Sequence, residues 1–158
     1  MNIGFTGTRY GMTEKQKIMF HVLMWSVLLK SKVDSFHHGC CIGADANAHK
    51  LIRRISGDIK IYGHPPVARV KVDIEVEKDC DILYSPLPYL ERNKNIVTSS
   101  AILIATPKEF KEKLRSGTWA TIRNSLETHS SGTDTWVIYP DGVVRKFSDG
   151  SIKYEQMG

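Results

Sequence analysis

Residues 101–123 read AILIATPKEFKEKLRSGTWATIR, a strand-like segment, a polar loop and a helix-like segment in direct succession. The segment Ala101–Ala105 is an unbroken apolar run, typical of a strand buried on both faces in a parallel sheet covered by helices. Pro107 ends the predicted strand, and a basic, polar loop over residues 108–115 follows. From Thr118 onward apolar residues recur at helical spacing, which predicts a helix.

The turn between this strand and helix is a candidate anion site. Gly117 lets the backbone approach a ligand closely, and Thr118 is placed to cap the helix. The free N–H groups of a first helical turn, with the positive end of the helix dipole behind them, bind anions. The same residues also fit a capped helix that simply follows a polar loop, so the Gly-Thr pair alone leaves both interpretations open.

Composition is typical of a single globular domain. The 158 residues suffice for one domain with a core, and 41% hydrophobic and 25% charged residues are ordinary values. No run of 18 apolar residues occurs, so no transmembrane helix is expected. The first residues lack the features of a signal peptide, and we expect a cytoplasmic protein. The net charge of +5 is scattered, which permits an anionic partner without naming one.

Strand-like and helix-like segments alternate along the chain. Strands are expected near 2–6, 33–38, 59–62 and 136–139, and helices near 13–30, 44–55 and 88–99. Thr13 and Gln16 form a capping box at the start of the first helix. Residues 67–87 fit an exposed strand and an excursion loop equally well.

This alternation predicts one α/β domain over residues 1–158. We expect a Rossmann-like, mostly parallel sheet with helices on both faces. Turn residues separate two further strand-like segments, 143–147 and 152–154, which predict a small antiparallel appendage at about 141–158.

Four glycine-bearing or polar turns follow predicted strands. They are residues 7–9, 39–45, 64–65 and 117–118. Ligands of open α/β sheets lie beyond the carboxyl ends of the strands, so these turns are expected to meet at one edge. Their convergence favours a phosphate- or nucleotide-type ligand.

The helix over residues 13–30 is apolar on more than one face. A helix that is apolar nearly all round must be buried on more than one side. Either it lies deep in this domain or a second copy of the protein covers it. We expect a homodimer or a larger homo-oligomer.

Histidines and cysteines cluster after the second predicted strand, which raises the question of a metal site. They are His37, His38, Cys40, Cys41 and, further on, His49. Neighbouring residues of a strand point to opposite faces, so His37 and His38 do not face one ion. No matching Cys-x-x-Cys pair is present, and no metal or other cofactor is expected. Three cysteines do not make a disulfide framework.

Several motifs together resemble the SLOG superfamily of Rossmann-like proteins, and within it the small YspA-like branch met in bacteria and phages. They are Thr6-Gly7-Thr8-Arg9, His38-Gly39-x-Cys41-Ile42-Gly43-Ala44-Asp45, Tyr89-Leu90-x-Arg92-Asn93-x-x-Ile96-Val97 and Gly117-Thr118. The resemblance covers about residues 2–140. The superfamily also includes lonely-guy phosphoribohydrolases and the DNA-processing protein.

The resemblance implies a nucleotide pocket with phosphate near the Gly-Thr turn. It implies that residues 7–9 form the facing wall and that residues 43–45 lie near ribose or base. It also implies that Arg92 and Asn93 reach into the pocket from the helix expected near 88–99. The candidate ligand-binding residues are Gly7, Thr8, Arg9, Gly39, Gly43, Ala44, Asp45, His64, Arg92, Asn93, Gly117, Thr118, Trp119 and Thr121. Trp119 fits either a base-stacking residue or a core tryptophan.

The sequence predicts a protein that binds a nucleotide or a nucleotide-derived molecule, as a sensor or a sequestering protein. One alternative is an N-glycosidase or phosphoribohydrolase, but lonely-guy enzymes carry a glutamate where this chain has Thr121. Asp45 is the candidate catalytic carboxylate, and it also fits a ribose contact or an ordinary first-turn acid. Another alternative is a single-stranded nucleic-acid binder, which the scattered charge disfavours.

Overall fold

The computed structural model describes residues 1–128, residues 133–147 and the backbone of 155–157. Its sheet has eight strands in the order β4-β3-β2-β1-β5-β6-β7-β8. The strands are β1 (Asn2–Gly7), β2 (Ser35–His38), β3 (Lys60–Gly63), β4 (Ile82–Leu83), β5 (Ile102–Thr106), β6 (Asp134–Ile138), β7 (Val144–Phe147) and β8 (Glu155–Met157). All pairs from β4 to β6 are parallel, and the last two pairs are antiparallel.

Helices cover both faces of the sheet. The helices are α1 (Glu14–Lys30), α2 (Ala44–Ile55), α3 (Ile74–Lys78), α4 (Tyr89–Thr98) and α5 (Gly117–Glu127). In β5, Ile102 and Ile104 pack into the core shared with α1 and α2, whereas Leu103 and Ala105 pack towards α4 and α5. The apolar run is therefore buried on both faces, and the predicted Rossmann-like α/β fold is confirmed.

The largest core lies between the sheet and helices α1 and α2. The rings of Phe5, Phe20 and Phe36 meet there with centroids 5.6–6.0 Å apart. Two of the three pairs are edge-to-face, a geometry that stabilises aromatic contacts beyond simple burial.

The start of α1 is tied to the carboxyl edge of the sheet. Thr13 and Gln16 form the predicted capping box. The buried Gln16 amide also donates to the carbonyls of Pro107 and Ile138, both at 2.9 Å. These bonds link α1 to the ends of β5 and β6, so the capping motif also positions the helix on the sheet.

The outer face of α1 stays apolar and open in the single chain. Ile18, Val22, Trp25 and Leu29 are between 45% and 84% exposed. Their spacing of four, three and four residues places them on one stripe, opposite the stripe that enters the core. The interpretation that the helix lies deep within the domain is therefore wrong for this face. A homodimer or larger homo-oligomer that covers it remains a prediction.

Residues 67–87 form neither a single exposed strand nor a plain loop. A short turn at Arg69–Lys71 leads into α3, and β4 then pairs in parallel with β3 as the edge strand. At the other edge, β7 and β8 continue the main sheet, so the predicted appendage belongs to it. The predicted strand at 152–154 lies outside the described residues.

Within the described residues, no helix combines the length and the hydrophobicity needed to cross a lipid bilayer.

Candidate functional site

A cavity of about 450 Å³ lies at the carboxyl edge of the sheet, where the sequence predicted the ligand. It is walled by the ends of β1 and β2, the first turns of α2 and α4, and the loop before α5. Of the predicted residues, the wall contains Gly7, Thr8, Arg9, Gly39, Asp45, Arg92, Asn93, Gly117 and Thr118. Nine residues from five separate segments are thus brought to one cavity by the parallel sheet.

The first turn of α5 presents free amides to this cavity. The helix is capped by Ser116, whose hydroxyl accepts from Trp119 N–H at 3.3 Å, so the predicted capping role of Thr118 is wrong. In the part of the chain that the structure describes, the N–H groups of Gly117 and Thr118 have no acceptor. Since both residues line the cavity, these amides are available to an anion.

Gly117 differs from the other glycines of the site. A Cβ at Gly117 would meet no atom within 4 Å. At Gly7 it would lie 2.4 Å from the Ala44 side chain, and at Gly39 it would lie 1.8 Å from Arg92 Nη1. Gly7 and Gly39 are therefore required by packing, whereas a side chain at Gly117 would enter open space.

Arg92 is a buried part of the wall. Its Nη1 donates to the carbonyls of Gly39 at 2.6 Å and His64 at 3.2 Å, which ties α4 to the ends of β2 and β3. Its guanidinium also lies over the Tyr89 ring, 5.2 Å from the centroid. The Nε atom is buried without a partner among the described residues. Arg92 thus supplies a fixed positive charge to the cavity.

Asp45 faces the same part of the wall. Its carboxylate accepts from Cys41 N–H at 3.2 Å and is only 6% exposed. Burial raises the pKa of Asp45, and the nearby His38 and Arg92 oppose that rise. A buried carboxyl with a raised pKa beside a fixed cation is a recognised feature of functional sites.

The cavity is also lined by cationic side chains that the sequence analysis did not single out. They are Lys71, Lys113 and Arg115, and with Arg9 and Arg92 they outnumber the two lining carboxylates, Asp45 and Glu109. Within the described ranges, none of Arg9, Lys71, Lys113 and Arg115 forms an ion pair. The unneutralised positive charge favours an anionic ligand.

Two aromatic residues of the wall were not among the candidate ligand-binding residues. Tyr10 is 66% exposed, beside the Arg9 side chain, and Tyr89 lies under Arg92. Tyr10 directly follows the first glycine-bearing turn, and Tyr89 opens both the helix that carries Arg92 and the motif over residues 89–97.

Five predicted residues lie outside the cavity wall. They are Gly43, Ala44, His64, Trp119 and Thr121. Trp119 is 6% exposed, packs with Ile122 and donates its indole N–H to Glu109 at 3.1 Å, so it is a core tryptophan. Thr121 lies one helical turn beyond Gly117, where it is buried and its hydroxyl donates to the Gly117 carbonyl at 3.0 Å.

His64 belongs to a different environment, on the face of the sheet opposite α2. Its Nε2 lies 2.9 Å from His37 Nδ1, and Tyr84 lies against its ring. Burial lowers the pKa of His37 to about 4 and that of His64 to about 3, so both are neutral at pH 7. His37 and His38 point to opposite faces, as predicted, since His38 contacts His49 instead.

The fold and the cavity together define a Rossmann-like protein with a cavity rich in cationic side chains at the carboxyl edge of its sheet. Similar solved structures have the same kind of fold. The molybdenum cofactor binding protein from Rippkaea orientalis is 19% identical with a TM-score of 0.59, covering 87% of this chain and 74% of that one. The structural-genomics target TM1055 is 12% identical with a TM-score of 0.56, covering 81% of this chain and 69% of that one.

DNA processing protein A from Helicobacter pylori is 15% identical with a TM-score of 0.54, covering 80% of this chain and 61% of that one. These structures support the Rossmann-like fold that the motifs indicated. At such low identity the similarity concerns the fold alone. No known protein-family profile matches the chain, and no curated protein matches its sequence.

Proposed function

We propose that the protein binds a nucleotide or a nucleotide-derived small molecule in the cavity at the carboxyl edge, and acts as a cytoplasmic sensor or sequestering protein. The observation that carries this proposal is the first turn of α5. Among the described residues, the Gly117 and Thr118 amides there have no acceptor, and five cations and two carboxylates line the cavity. Such an arrangement binds phosphate through backbone donors and charge together.

The rest of the wall suits the non-phosphate part of a nucleotide. Asp45 and Asn93 present polar side chains towards the cavity, and the Asn93 amide has no hydrogen-bond partner among the described residues. Tyr10 offers an exposed ring on which a base can stack. A ribose hydroxyl is the natural donor to the Asp45 carboxylate.

The two alternative functions have weaker support. A lonely-guy type hydrolase needs a carboxylate where Thr121 stands, and Thr121 is buried away from the cavity. Helicobacter pylori DNA processing protein A binds single-stranded DNA. For this chain, a long strand would need an extended groove with several stacking aromatics, whereas the proposed cations surround one compact cavity.

A thermal-shift panel of nucleotides, nucleotide sugars and cyclic nucleotides tests the proposal. A ligand at 100 times its dissociation constant stabilises the folded protein by about 2.7 kcal/mol. Gly117→Asp places a carboxylate where the anion binds and is expected to abolish the shift. Because the space at Gly117 is open and an acid is favourable at a helix start, the fold is expected to stay intact.

Gly117→Ala is the matched control, because a methyl group fits the same open space without adding charge. It is expected to retain most of the binding measured by calorimetry. The proposal fails if no compound of the panel stabilises the wild type. It also fails if Gly117→Asp and Gly117→Ala bind the best compound with equal affinity.

A further inference from the structure

A second cluster of side chains lies outside the cavity, behind the turn that follows β2. It contains His38 at the end of β2, His49 on α2, and Cys80 between α3 and β4. Their donor atoms, His38 Nε2, His49 Nδ1 and Cys80 Sγ, lie within 4.8 Å of one another. Both histidines are buried and Cys80 is half-buried, so the protein encloses these atoms on most sides.

The thiol of Cys40 borders the same cluster. The Cys40 sulfur lies 2.7 Å, and the Cys80 sulfur 2.9 Å, from the position that a Cβ on Gly63 would occupy. The absence of a side chain at Gly63 therefore leaves room for both sulfurs. The cluster and the bordering Cys40 together supply two thiols and two imidazoles from three segments of the chain, and such nitrogen and sulfur donors suit Zn²⁺ better than hard cations.

His49 is oriented as a metal ligand. Its Nε2 lies 2.7 Å from Asp79 Oδ2, and the same oxygen accepts from Arg53 Nε at 3.0 Å. Because the carboxylate fixes the proton on Nε2, the lone pair of the ring is on Nδ1, which faces the cluster. Histidines that bind metals commonly donate their other N–H to a carboxylate in this way.

His38 has the opposite tautomer. Cys40 N–H donates to His38 Nδ1 at 2.9 Å, so the proton of this ring is on Nε2. That Nε2 lies 2.8 Å from His49 Nδ1 and 4.0 Å from Cys80 Sγ. A protonated Nε2 does not bind a metal, but it can donate a hydrogen bond to a metal-bound thiolate.

We propose that His49 Nδ1, Cys80 Sγ and Cys40 Sγ bind one Zn²⁺ ion, with His38 Nε2–H donating to a thiolate sulfur. The ion displaces the hydrogen bond between the two imidazoles. Each thiol releases one proton, so one Zn²⁺ exchanges for two protons. The sequence analysis did not weigh Cys80, which lies in residues 67–87, where the sequence pattern was least informative.

Zinc titration of the full chain against a chromogenic chelator tests the site. The wild type is expected to bind one equivalent of Zn²⁺, and Cys80→Ser and His49→Gln are expected to lose it. Asp79→Asn, which removes only the partner of a ligand, is expected to weaken binding roughly 10–100-fold. Cys41→Ser is the matched control, because Cys41 Sγ faces Arg92 instead, and it is expected to bind as tightly as the wild type.

Co²⁺ provides a readout on the wild type alone, which remains informative if a variant does not fold. Two thiolate ligands in a tetrahedral site give intense sulfur-to-cobalt charge-transfer absorption, which we expect on addition of one equivalent. Absence of that absorption overturns the proposal, as does failure of the wild type to compete with the chelator for Zn²⁺. Equal zinc affinities of Cys41→Ser and Cys80→Ser also overturn it.

Discussion

At the scale of single residues, two arginines bring charge to the cavity in different ways. Arg9 is exposed and contacts Tyr10, with its Nη2 donating to the tyrosine hydroxyl at 3.0 Å. Arg92 is buried and donates to two backbone carbonyls at the ends of β2 and β3. The first arginine is therefore available to a ligand at little cost to the fold, whereas the second also holds the wall together.

Arg9→Ala is expected to weaken a phosphorylated ligand by roughly 1.5–3 kcal/mol, the range for hydrogen bonds to charged groups. The matching nucleoside is expected to lose much less, and the free energy of unfolding is expected to stay unchanged. Arg92→Ala is expected to weaken the same ligand and also to lower the free energy of unfolding. Calorimetry and denaturant titration measure the two effects. Equal losses for nucleotide and nucleoside would show that these arginines do not contact phosphate.

Asp45 is the residue on which a test for ligand hydrolysis depends. Cleavage of a glycosidic bond needs a carboxylate against the ribose to stabilise charge developing at the anomeric carbon. Thr121 cannot supply one, Glu91 is exposed on α4 outside the wall, and the lining Glu109 accepts the indole N–H of Trp119. We therefore expect no free base when the protein is incubated with adenosine monophosphate or its N6-substituted forms. Chromatography of the reaction decides this, and base release that Asp45→Asn abolishes would establish an enzyme instead.

At the scale of single elements, α1 is the one whose surroundings are incomplete in the single chain. Its inner stripe fills the main core, and its outer stripe of Ile18, Val22, Trp25 and Leu29 is exposed. An apolar stripe along a whole helix is typical of an interface between protein chains. The same helix can serve both roles because its two stripes lie on opposite faces.

Val22→Glu is expected to convert a homodimer to a monomer, as measured by light scattering at high micromolar concentration. Val22 is 50% exposed, so the carboxylate reaches water in the monomer and the fold is unaffected. Met19 is unsuitable for this test because it packs against the main core. Val70→Glu, at a residue 86% exposed elsewhere, is the control and should leave the dimer intact. A monomeric wild type would contradict the prediction.

At the scale of the whole molecule, buried histidines couple stability to pH. The pKa of His37 falls to about 4 and that of His64 to about 3, because burial disfavours the charged ring. In the unfolded chain both rings take up protons below about pH 6.5. The contribution of the two neutral histidines to the free energy of unfolding is therefore fully present above pH 6.5 and is lost as the pH falls towards 4. The raised pKa of Asp45 acts in the opposite direction and offsets part of the loss.

Lowering the pH from 7.5 to 5 is expected to reduce the free energy of unfolding by roughly 2 kcal/mol for each of the two histidines. His37→Gln removes one titrating group, so its free energy of unfolding should depend less on pH. His21→Gln, at an exposed histidine of α1, is the control and should match the wild type. Denaturant titrations at the two pH values measure this. A wild type equally stable at both would show that the histidines are not neutral in the fold.

The sequence by itself determined the features that depend on near neighbours. The alternation of strands and helices, the burial of β5 on both faces and the capping box at Thr13 and Gln16 follow from residues a few positions apart. The glycine-bearing turns at residues 7, 39 and 117 also reach one edge for a local reason: each follows a strand, and parallel strands end on the same side.

Only the tertiary structure decided which side chains meet across the chain. Arg92 reaches the carbonyl of Gly39, Lys71 joins the cavity wall, and Cys80 approaches His38 from a segment without a clear pattern. Thr121 stands where the family motif has a glutamate but lies outside the cavity wall, and Trp119 packs in the core. Such contacts depend on the rotation of each helix and on the order of the strands. Packing of the whole domain sets both, and a local sequence pattern does not encode them.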